Sequence, residues 1–399
     1  MPMVFCYNSI KHYPKKKANM EENTQNNLEE EIDEEEEELD HNALFNISSW
    51  GIDLSWRELI LMYKDDELVK PELQRHYVWK KKEASRFIES ILLGLPIPSI
   101  FLANTEDNRK LIIDGYQRIM SVYDYVEKEK FGNEETIFKL TNSPAIHERW
   151  RGKSFKELDI ADQRKIKSTS VHGIIFEQKH PKNDDSLYQI FERINTGGQK
   201  LLSQEIRHCV YHGKFNDFLI ELNNSKIWRE MYGTQEVDQR MQDIELILRY
   251  FTIRQQTILY SDKQKITMKQ ELNRYMEMGN NFDLKELQKM KEDFLRCLEW
   301  IKKVFGQHAF VNTSKTTSMT KKINRTIFES LMIATSLYLK DRDLEPTNAK
   351  NKLHTLLSNN DFQNLISVRT THCESIRKRI EYILEYVYEV QNCKISETK

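Results

Sequence analysis

The spacing of the hydrophobic positions changes part-way along the chain. In the N-terminal half, short apolar runs alternate with turns, which is typical of β-strands. The predicted strands lie at 99–103, 110–114 and 170–178. From about residue 225, apolar residues recur every three or four positions, which predicts helices. The strongest of these helical patterns cover 239–256, 284–305, 319–340 and 372–390. The chain is therefore predicted to be α+β, with a small mixed sheet followed by a mostly α-helical domain.

Capping signals place several boundaries in the N-terminal half. Ser55 is positioned to cap a helix at 56–63. Apolar residues recur with helical spacing from Phe87 to Leu92, and Gly94 ends that predicted helix. Residues 131–168 are polar and predict no clear element.

The stretch Ile112-Ile113-Asp114-Gly115 joins a predicted strand to a predicted helix. Gly115 allows the positive φ of a tight turn, and the first N–H groups of the helix attract phosphates. Gln117 and Arg118 lie in the first helical turn, where an Arg fork suits phosphate oxygens. Asp114 can cap the helix or help to hold Mg²⁺. The alternative is that Asp114 is an ordinary cap and Arg118 pairs with a nearby acid.

A second polar cluster follows the pattern of a helix that ends near Arg193. It is a loop rich in backbone N–H groups and can form an anion nest; its residues are Asn195, Thr196, Gly197 and Gly198. Ser203 is then predicted to cap a helix that carries Glu205, Arg207 and His208. The alternative is a flexible connector between two helices.

Charge is distributed unevenly along the 399 residues, although the formal net charge is only −2. Residues 1–20 carry four Lys and no acid, and residues 21–40 carry twelve acids and no Lys or Arg, so residues 41–399 have a net charge of +6. The acidic tract is predicted to be a disordered tail, or a mimic that competes for a basic groove. The run Lys80-Lys81-Lys82 can face a nucleic-acid backbone, or it can be a solvated helix start.

Cysteines and apolar runs bear on the compartment. The five cysteines show no CxxC spacing, which is typical of reduced thiols. No apolar run reaches eighteen residues, and the N-terminus has no secretory pattern. We therefore predict a cytoplasmic protein without a membrane partner.

Three sequence blocks occur together in a characteristic order: ELQRHYVWKKKEASRFIESILLGLPIPSIFL, IIDGYQR and IFERINTGGQKLLSQEIRHCVYHGKFNDFL. Over residues 45–254 the chain resembles the N-terminal domain of GmrSD-type restriction endonucleases, a family named for its DGQQR box. The resemblance implies a ParB/sulfiredoxin-like core and nucleotide-dependent action against foreign DNA. It gives three predicted parts: an acidic tail at 1–43, a DGQQR-box domain at 44–220 and an all-α domain at 221–399.

The resemblance also assigns residues to each motif. These are Gln74 and Arg75 in the first box, Asp114, Gly115, Gln117 and Arg118 in the second, and Arg193, Asn195, Thr196, Gly197, Gly198, Gln204, Glu205 and Arg207 in the third. One departure is Tyr116, which stands where the family usually has Gln and can stack on a base.

Together these observations predict a nucleotide-binding, NTP-hydrolysing subunit of a DNA-targeting defence system. Its cofactors would be Mg²⁺ and GTP, ATP or CTP. Arg118 and Arg75 would contact phosphates, Asp114 would hold the metal or shape the loop, and Gln117 would orient water. The predicted partners are DNA, a separate nuclease subunit and a second copy of the chain.

The location of a nuclease centre remains open in the sequence. His308, His354 and His372 show no HNH pattern, which predicts that the nuclease half is missing. An alternative is a metal-dependent nuclease built on Glu177 and Lys179 with Asp159 or Asp162. A further alternative is a non-enzymatic DNA-binding or sensor module.

Overall fold

The structure is a computed structural model, and it describes most of the chain from residue 47 onward. The described ranges are 47–69, 79–105, 107–178, 184–194, 202–211, 213–238, 240–314, 322–340, 342, 345–391, 393 and 395. The predicted acidic tail lies outside these ranges.

A five-stranded mixed sheet forms the centre of the N-terminal half. Its strands are β1 (Ile47–Ser55), β2 (Leu68–Val69), β3 (Ile100–Asn104), β4 (Lys110–Asp114) and β5 (Ser170–Gln178), in the order β1-β5-β3-β4-β2. The β1–β5 and β3–β4 pairs are antiparallel, whereas β5–β3 and β4–β2 are parallel. The predicted mixed sheet is thus confirmed, while its ParB-like identity stays a prediction.

Four helices and their extensions cover one face of the sheet. They are α1 (Trp56–Lys64), α2 (Lys81–Leu93), α3 (Tyr116–Tyr123) and α4 (Ile160–Ser168). The helix α3 continues as a π-helical turn, Asp124–Lys128, and a 3₁₀ turn, Phe155–Glu157, precedes α4. Because α1 packs on α3 and α4, and α2 also packs on both, these helices form one layer.

The remaining helices form the C-terminal body. They are α5 (Asp184–Ile194), α6 (Ser203–Val210), α7 (Lys214–Asn223), α8 (Lys226–Tyr232), α9 (Gln242–Ile253), α10 (Gln256–Leu259), α11 (Met268–Gly279), α12 (Leu284–Phe305), α13 (Arg325–Tyr338), α14 (Ala349–Leu357), α15 (Asn360–Ser367) and α16 (Cys373–Tyr382). A π-helical turn, Ile383–Val387, follows α16. Within the described ranges, none of these helices is long and apolar enough to cross a membrane.

Most of the predicted elements are confirmed. Ser55 caps α1 in a capping box with Glu58, and Gly94 ends α2 with φ +78°. The prediction of one helix over 372–390 is wrong in detail, because the α-helix changes to a π-helical turn after Tyr382. The polar stretch 131–168 contains α4, which the sequence pattern did not predict.

The strand β4 contributes to two hydrophobic cores. Ile112 points into the core beneath α1, α2 and α3. Leu111 and Ile113 join the opposite core with residues of α5 and of the C-terminal helices. Since neighbouring strand residues face opposite sides of a sheet, β4 is covered on both faces.

A chain of buried ion pairs crosses the C-terminal body. Arg207 on α6 contacts Glu245 on α9 at 3.2 Å, and Glu245 also lies near Arg249, at 3.7 Å. Glu329 on α13 accepts from Arg249 at 2.5 Å and from Arg379 on α16 at 2.7 Å. The Glu329 carboxylate is thus buried between two guanidinium groups, which offset the free energy of its desolvation.

We expect Glu329→Gln to lower the free energy of unfolding by about 3 kcal/mol, because it leaves buried positive charge without its counter-charge. Urea unfolding of the full chain measures this loss. Glu299→Gln, on the exposed side of α12, is the matched control and should stay within about 0.5 kcal/mol of wild type. Equal unfolding midpoints for the two variants would contradict a stabilising role for the ion-pair chain.

Candidate functional site

The turn between β4 and α3 is built around Gly115. Its φ is +103°, in the left-handed region, and a Cβ at this position would lie 2.6 Å from Ile100 Cγ2. Only glycine therefore fits without a shift of Ile100. Gly115 is the N-cap residue of α3, so the expectation that Asp114 caps this helix is wrong.

A β-bulge lies directly before this turn. Asp114 pairs with Phe101, whereas Leu102 pairs with Ile112, so Ile113 is the extra residue on β4. Bulges bend a strand and change the direction of nearby side chains, and they are frequent beside functional sites. Here the bulge determines how Asp114 leaves the sheet.

The Arg118 side chain forms an internal clamp. Its guanidinium donates to the carbonyl oxygens of Pro98 at 2.5 Å and Ser99 at 3.0 Å, and also to the carboxylate of Asp114. The alternative in which Arg118 pairs with a nearby acid is therefore the arrangement observed. The guanidinium of Arg118 is buried and directed at protein oxygens. Its contact with a phosphate stays a prediction.

Gln117 connects the junction to the start of α2. Its side-chain oxygen accepts the backbone N–H of Trp79 at 3.3 Å. The Trp79 ring packs edge-on against Phe87, with ring centroids 5.6 Å apart. The amide group of Gln117 is thus oriented by backbone, and it is half-buried beside the first turn of α3.

Tyr116 lies in the core, which argues against the expectation that it stacks on a base. Its side chain is only 6% exposed and belongs to the cluster beneath α1 and α2. Burial raises the pKa of Tyr116. A ring in this position has no open face for a base. Its role is to pack α3 against α1.

Asp124 is a buried carboxyl that the sequence analysis missed. It begins the π-helical turn after α3, and one of its oxygens accepts the Gly132 N–H at 2.7 Å. The other oxygen has no hydrogen-bond partner, although Lys128 Nζ lies 3.8 Å away. Burial raises the pKa of Asp124 to about 6.

The third motif is joined to the C-terminal helices. Glu205 accepts the Leu202 N–H at 2.5 Å and pairs with Arg240 at 2.9 Å, while burial raises the pKa of Glu205. The N-cap of α6 is Leu202, so the expectation that Ser203 caps the helix is wrong. The side-chain oxygen of Gln204 accepts a hydrogen bond from the Arg207 guanidinium at 3.2 Å. These side chains therefore anchor α6.

The predicted basic run does not form one continuous basic surface. Lys80 is the exposed N-cap residue of α2, and Lys82 is exposed. Lys81 pairs with Glu134 at 3.4 Å and lies over the Phe138 ring. Two of the three lysines thus remain open to a solvent-side partner.

Several predicted residues lie outside the described residues. They are Gln74, Arg75, Lys179, Asn195, Thr196, Gly197 and Gly198. Arg193 is described and exposed at the end of α5. The helix α5 packs against β4, but in the described ranges no hydrogen bond or ion pair joins Arg193 to Asp114, Gln117 or Arg118.

The metal expectations can be compared with the donors present. The Asp114 side chain is 43% exposed, and one of its oxygens is paired with Arg118. Within the described residues, no group of three His, Cys, Asp or Glu side chains could hold a metal. A single carboxylate nevertheless suits Mg²⁺ when phosphate oxygens and waters complete the shell.

The alternative nuclease residues are engaged in the fold where they are described. Asp162 is buried and accepts the Trp150 Nε1–H at 2.8 Å, and Arg149 lies 3.0 Å from it. Asp159 lies 3.3 Å from Arg149. Both acids therefore hold the segment before α4.

Comparison with known proteins supports the resemblance inferred from the three motifs. Residues 57–212 match the family described as GmrSD restriction endonuclease, N-terminal domain. The match runs from α1 to the end of α6 and contains the β4–α3 junction, and over these residues it confirms the predicted resemblance to that domain. It is shorter than the predicted span of 45–254. No match was found among curated proteins or solved structures.

We expect Gly115→Ala to lower the free energy of unfolding by about 3 kcal/mol, because positive φ and the contact with Ile100 both oppose a Cβ. Gly152→Ala is the matched control: Gly152 has φ +70° but no heavy atom within 4 Å of the added Cβ. It should lose only about 1 kcal/mol. Urea unfolding of both variants measures the difference, and equal losses would show that Ile100 yields without cost.

We expect Asp124→Asn to stabilise the protein increasingly as the pH rises from 4 to 7. The folded pKa of about 6 lies above the ordinary value of 3.8. The folded state therefore holds this proton more tightly, and wild type loses stability as the pH rises through this window. The advantage of the variant should grow by about 2–3 kcal/mol. Urea unfolding at several pH values measures it, and a constant difference would contradict the raised pKa.

Proposed function

We propose that this chain is a nucleotide-binding, NTP-hydrolysing subunit of a restriction-type defence system that acts on DNA. The observation that carries the proposal is the glycine N-cap at the β4–α3 junction, within the segment that matches the GmrSD N-terminal domain. A strand that ends in a left-handed glycine before a helix leaves backbone N–H groups accessible to a phosphate.

The first turn of α3 would bind the phosphate. Within the described ranges, no side chain caps these N–H groups. The positive φ of Gly115 lets the chain pass from β4 directly into this turn, and the N-cap carries no side chain. Gln117 contributes its amide, which the Trp79 N–H orients.

Arg118 acts in this proposal as a positioning residue. It connects the carbonyl groups of Pro98 and Ser99 to the carboxylate of Asp114, across the base of the turn. The guanidinium lies close to Gly115: a Cβ on that glycine would be 3.5 Å from it. The guanidinium then stabilises anions near the junction through its field and holds the turn in shape.

Asp114 would hold Mg²⁺ through the oxygen that Arg118 does not bind. When bound, the ion would supply charge neutralisation at the phosphate oxygens. Gln74, Arg75, Arg193 and the loop Asn195–Gly198 would complete the nucleotide site, as the family resemblance implies. A separate subunit would supply the nuclease, and the chain would form a homodimer.

A second candidate function is a non-enzymatic DNA-binding or sensor module. The observation that favours it is that Arg118 donates to the Pro98 carbonyl and to the Asp114 carboxylate. These bonds leave the second box with one fewer predicted phosphate ligand. Exposed bases on α2, among them Lys82 and Arg86, then provide a backbone-binding surface.

Phosphate release from GTP, ATP and CTP with Mg²⁺ tests the first proposal. We expect Asp114→Asn and Gln117→Ala to lower kcat at least about 100-fold, since each removes a group beside the reacting phosphate. Asp107→Asn, in the exposed turn before β4, is the matched control and should keep wild-type turnover.

Calorimetric titration of each nucleotide and a salt-titrated DNA-binding assay separate the two functions. Nucleotide binding that weakens in both junction variants supports the first. Failure of wild type to bind any of the three nucleotides, together with DNA affinity that falls steeply with salt, would overturn the first and favour the second.

A further inference from the structure

The helices α2 and α4 present a surface that is both basic and apolar. We call it the α2–α4 surface, and it consists of Lys82, Arg86, Leu93, Leu95, Ile160, Arg164 and Lys165. Lys82, Arg86 and Leu93 follow one another at helical spacing on the exposed side of α2. The two helices pack together, and Lys165 Nζ is 3.7 Å from the position of a Cβ on Gly94.

Positive charge is in excess on this surface. The helix α2 carries three bases and two acids, and α4 carries three bases and one acid. The α2 carboxylate of Glu89 accepts the His147 N–H at 2.5 Å, and the α4 carboxylate of Asp162 is buried against Trp150. Within the described ranges, Lys82, Arg86, Arg164 and Lys165 form no ion pair, so their charge is available to an anionic partner.

Three large apolar side chains are also exposed on these two helices or directly after α2. Leu93 and Leu95 are each 50% exposed, and Ile160 is 67% exposed. A single exposed apolar residue is ordinary on a protein surface. Three exposed apolar residues on helices whose described bases form no ion pair fit a partner that is acidic and also carries apolar side chains. A nucleic-acid backbone has the negative charge but no apolar side chains.

The acidic tract 21–40 of the same chain has this composition. Its twelve acids surround Leu28, Ile32 and Leu39, whose spacings of four and seven would align them along one side of a helix. This pattern complements a surface where bases flank Leu93, Leu95 and Ile160. Charge and apolar content therefore both match.

The chain between the tract and the fold is long enough for docking. The described structure begins at Ile47, nineteen residues after Leu28. An extended stretch of that length spans up to about 65 Å, whereas the nine-residue strand β1 is roughly 30 Å long. The Trp56 N–H after β1 bonds to the Thr169 carbonyl at the end of α4, so β1 leads directly to this layer.

We propose that the acidic tract 21–40 docks on the α2–α4 surface of its own chain and excludes anionic partners from it. Docking buries Leu28 and Ile32 against Leu93 and Leu95 and places the glutamates near Arg86 and Lys165. The tract then regulates access to the face on which a DNA backbone would bind. The docking itself does not depend on nucleotide or DNA binding.

Lysine labelling by an amine-reactive reagent, read by mass spectrometry, tests the docking without DNA. In the full chain with all five residues from Glu34 to Glu38 changed to Gln, we expect Lys82 and Lys165 to label roughly fivefold faster than in wild type. This corresponds to a docked form about four times as populated as the open form. Lys285, exposed on α12, is the internal control and should label equally in both chains.

A reciprocal variant tests the same contact from the other side. Arg86→Glu combined with Arg164→Glu should make the tract 21–40 more sensitive to a glutamate-specific protease, by a similar factor. Added salt should have the same effect on wild type, because it screens the charges. Equal labelling and equal cleavage in wild type and variants would overturn the proposal.

The DNA arm separates this inference from the proposed function. If DNA lowers the labelling of Lys82 and Lys165 equally in wild type and in the Gln variant, the surface binds DNA without competition from the tract, and the docking proposal is wrong. If the Gln variant labels faster while neither chain binds DNA, the docking holds and the DNA-targeting function fails.

Discussion

The positive φ at Gly115 is the constraint on which the candidate site depends. Because the chain turns sharply there against Ile100, the first turn of α3 begins directly at the end of β4. Arg118 can then reach back to the carbonyl groups of Pro98 and Ser99 and to Asp114. A wider turn would separate the guanidinium from all three acceptors. The glycine therefore determines both the shape of the junction and the direction of its charge.

The motif residues divide into those that shape the site and those that connect it to the rest of the protein. Asp114, Gly115 and Arg118 form the junction itself. Glu205 and Arg207 instead extend from α6 into the helical body. There Glu205 forms an ion pair with Arg240, and Arg207 forms one with Glu245. A family motif thus serves two physical purposes, and Glu205 and Arg207 of its third block are buried between helices.

The sequence predicts local structure better than it predicts what each polar side chain contacts. The strand at 110–114 and the helix at 284–305 have the predicted bounds, because their periodicity is local and strong. The bulge at Ile113 depends on the register with β3, which lies in another segment. The partners of Arg118 are backbone carbonyl groups twenty and nineteen residues away, and no side-chain pattern marks a carbonyl.

Some of the missed features did leave a signal. Glu329 is the only acid of α13, a helix whose residues are almost all buried, and such a residue needs a buried counter-charge. Its partners, Arg249 and Arg379, lie 80 and 50 residues away in the sequence, so only the tertiary fold identifies them. Asp124 gave a weaker signal, because an acid in a charged segment is usually exposed.

The bulged strand β4 also limits how this fold can change over evolutionary time. Ile112 fills one core while Leu111 and Ile113 fill the other, so inserting or deleting one residue in β4 would exchange the two sets and damage both cores together. The β3–β4 connection, with Thr105 and Asp107 in its exposed turn, contributes to neither core. Insertions and deletions among relatives should therefore occur in that hairpin turn, and the number of residues from Lys110 to Gly115 should stay constant.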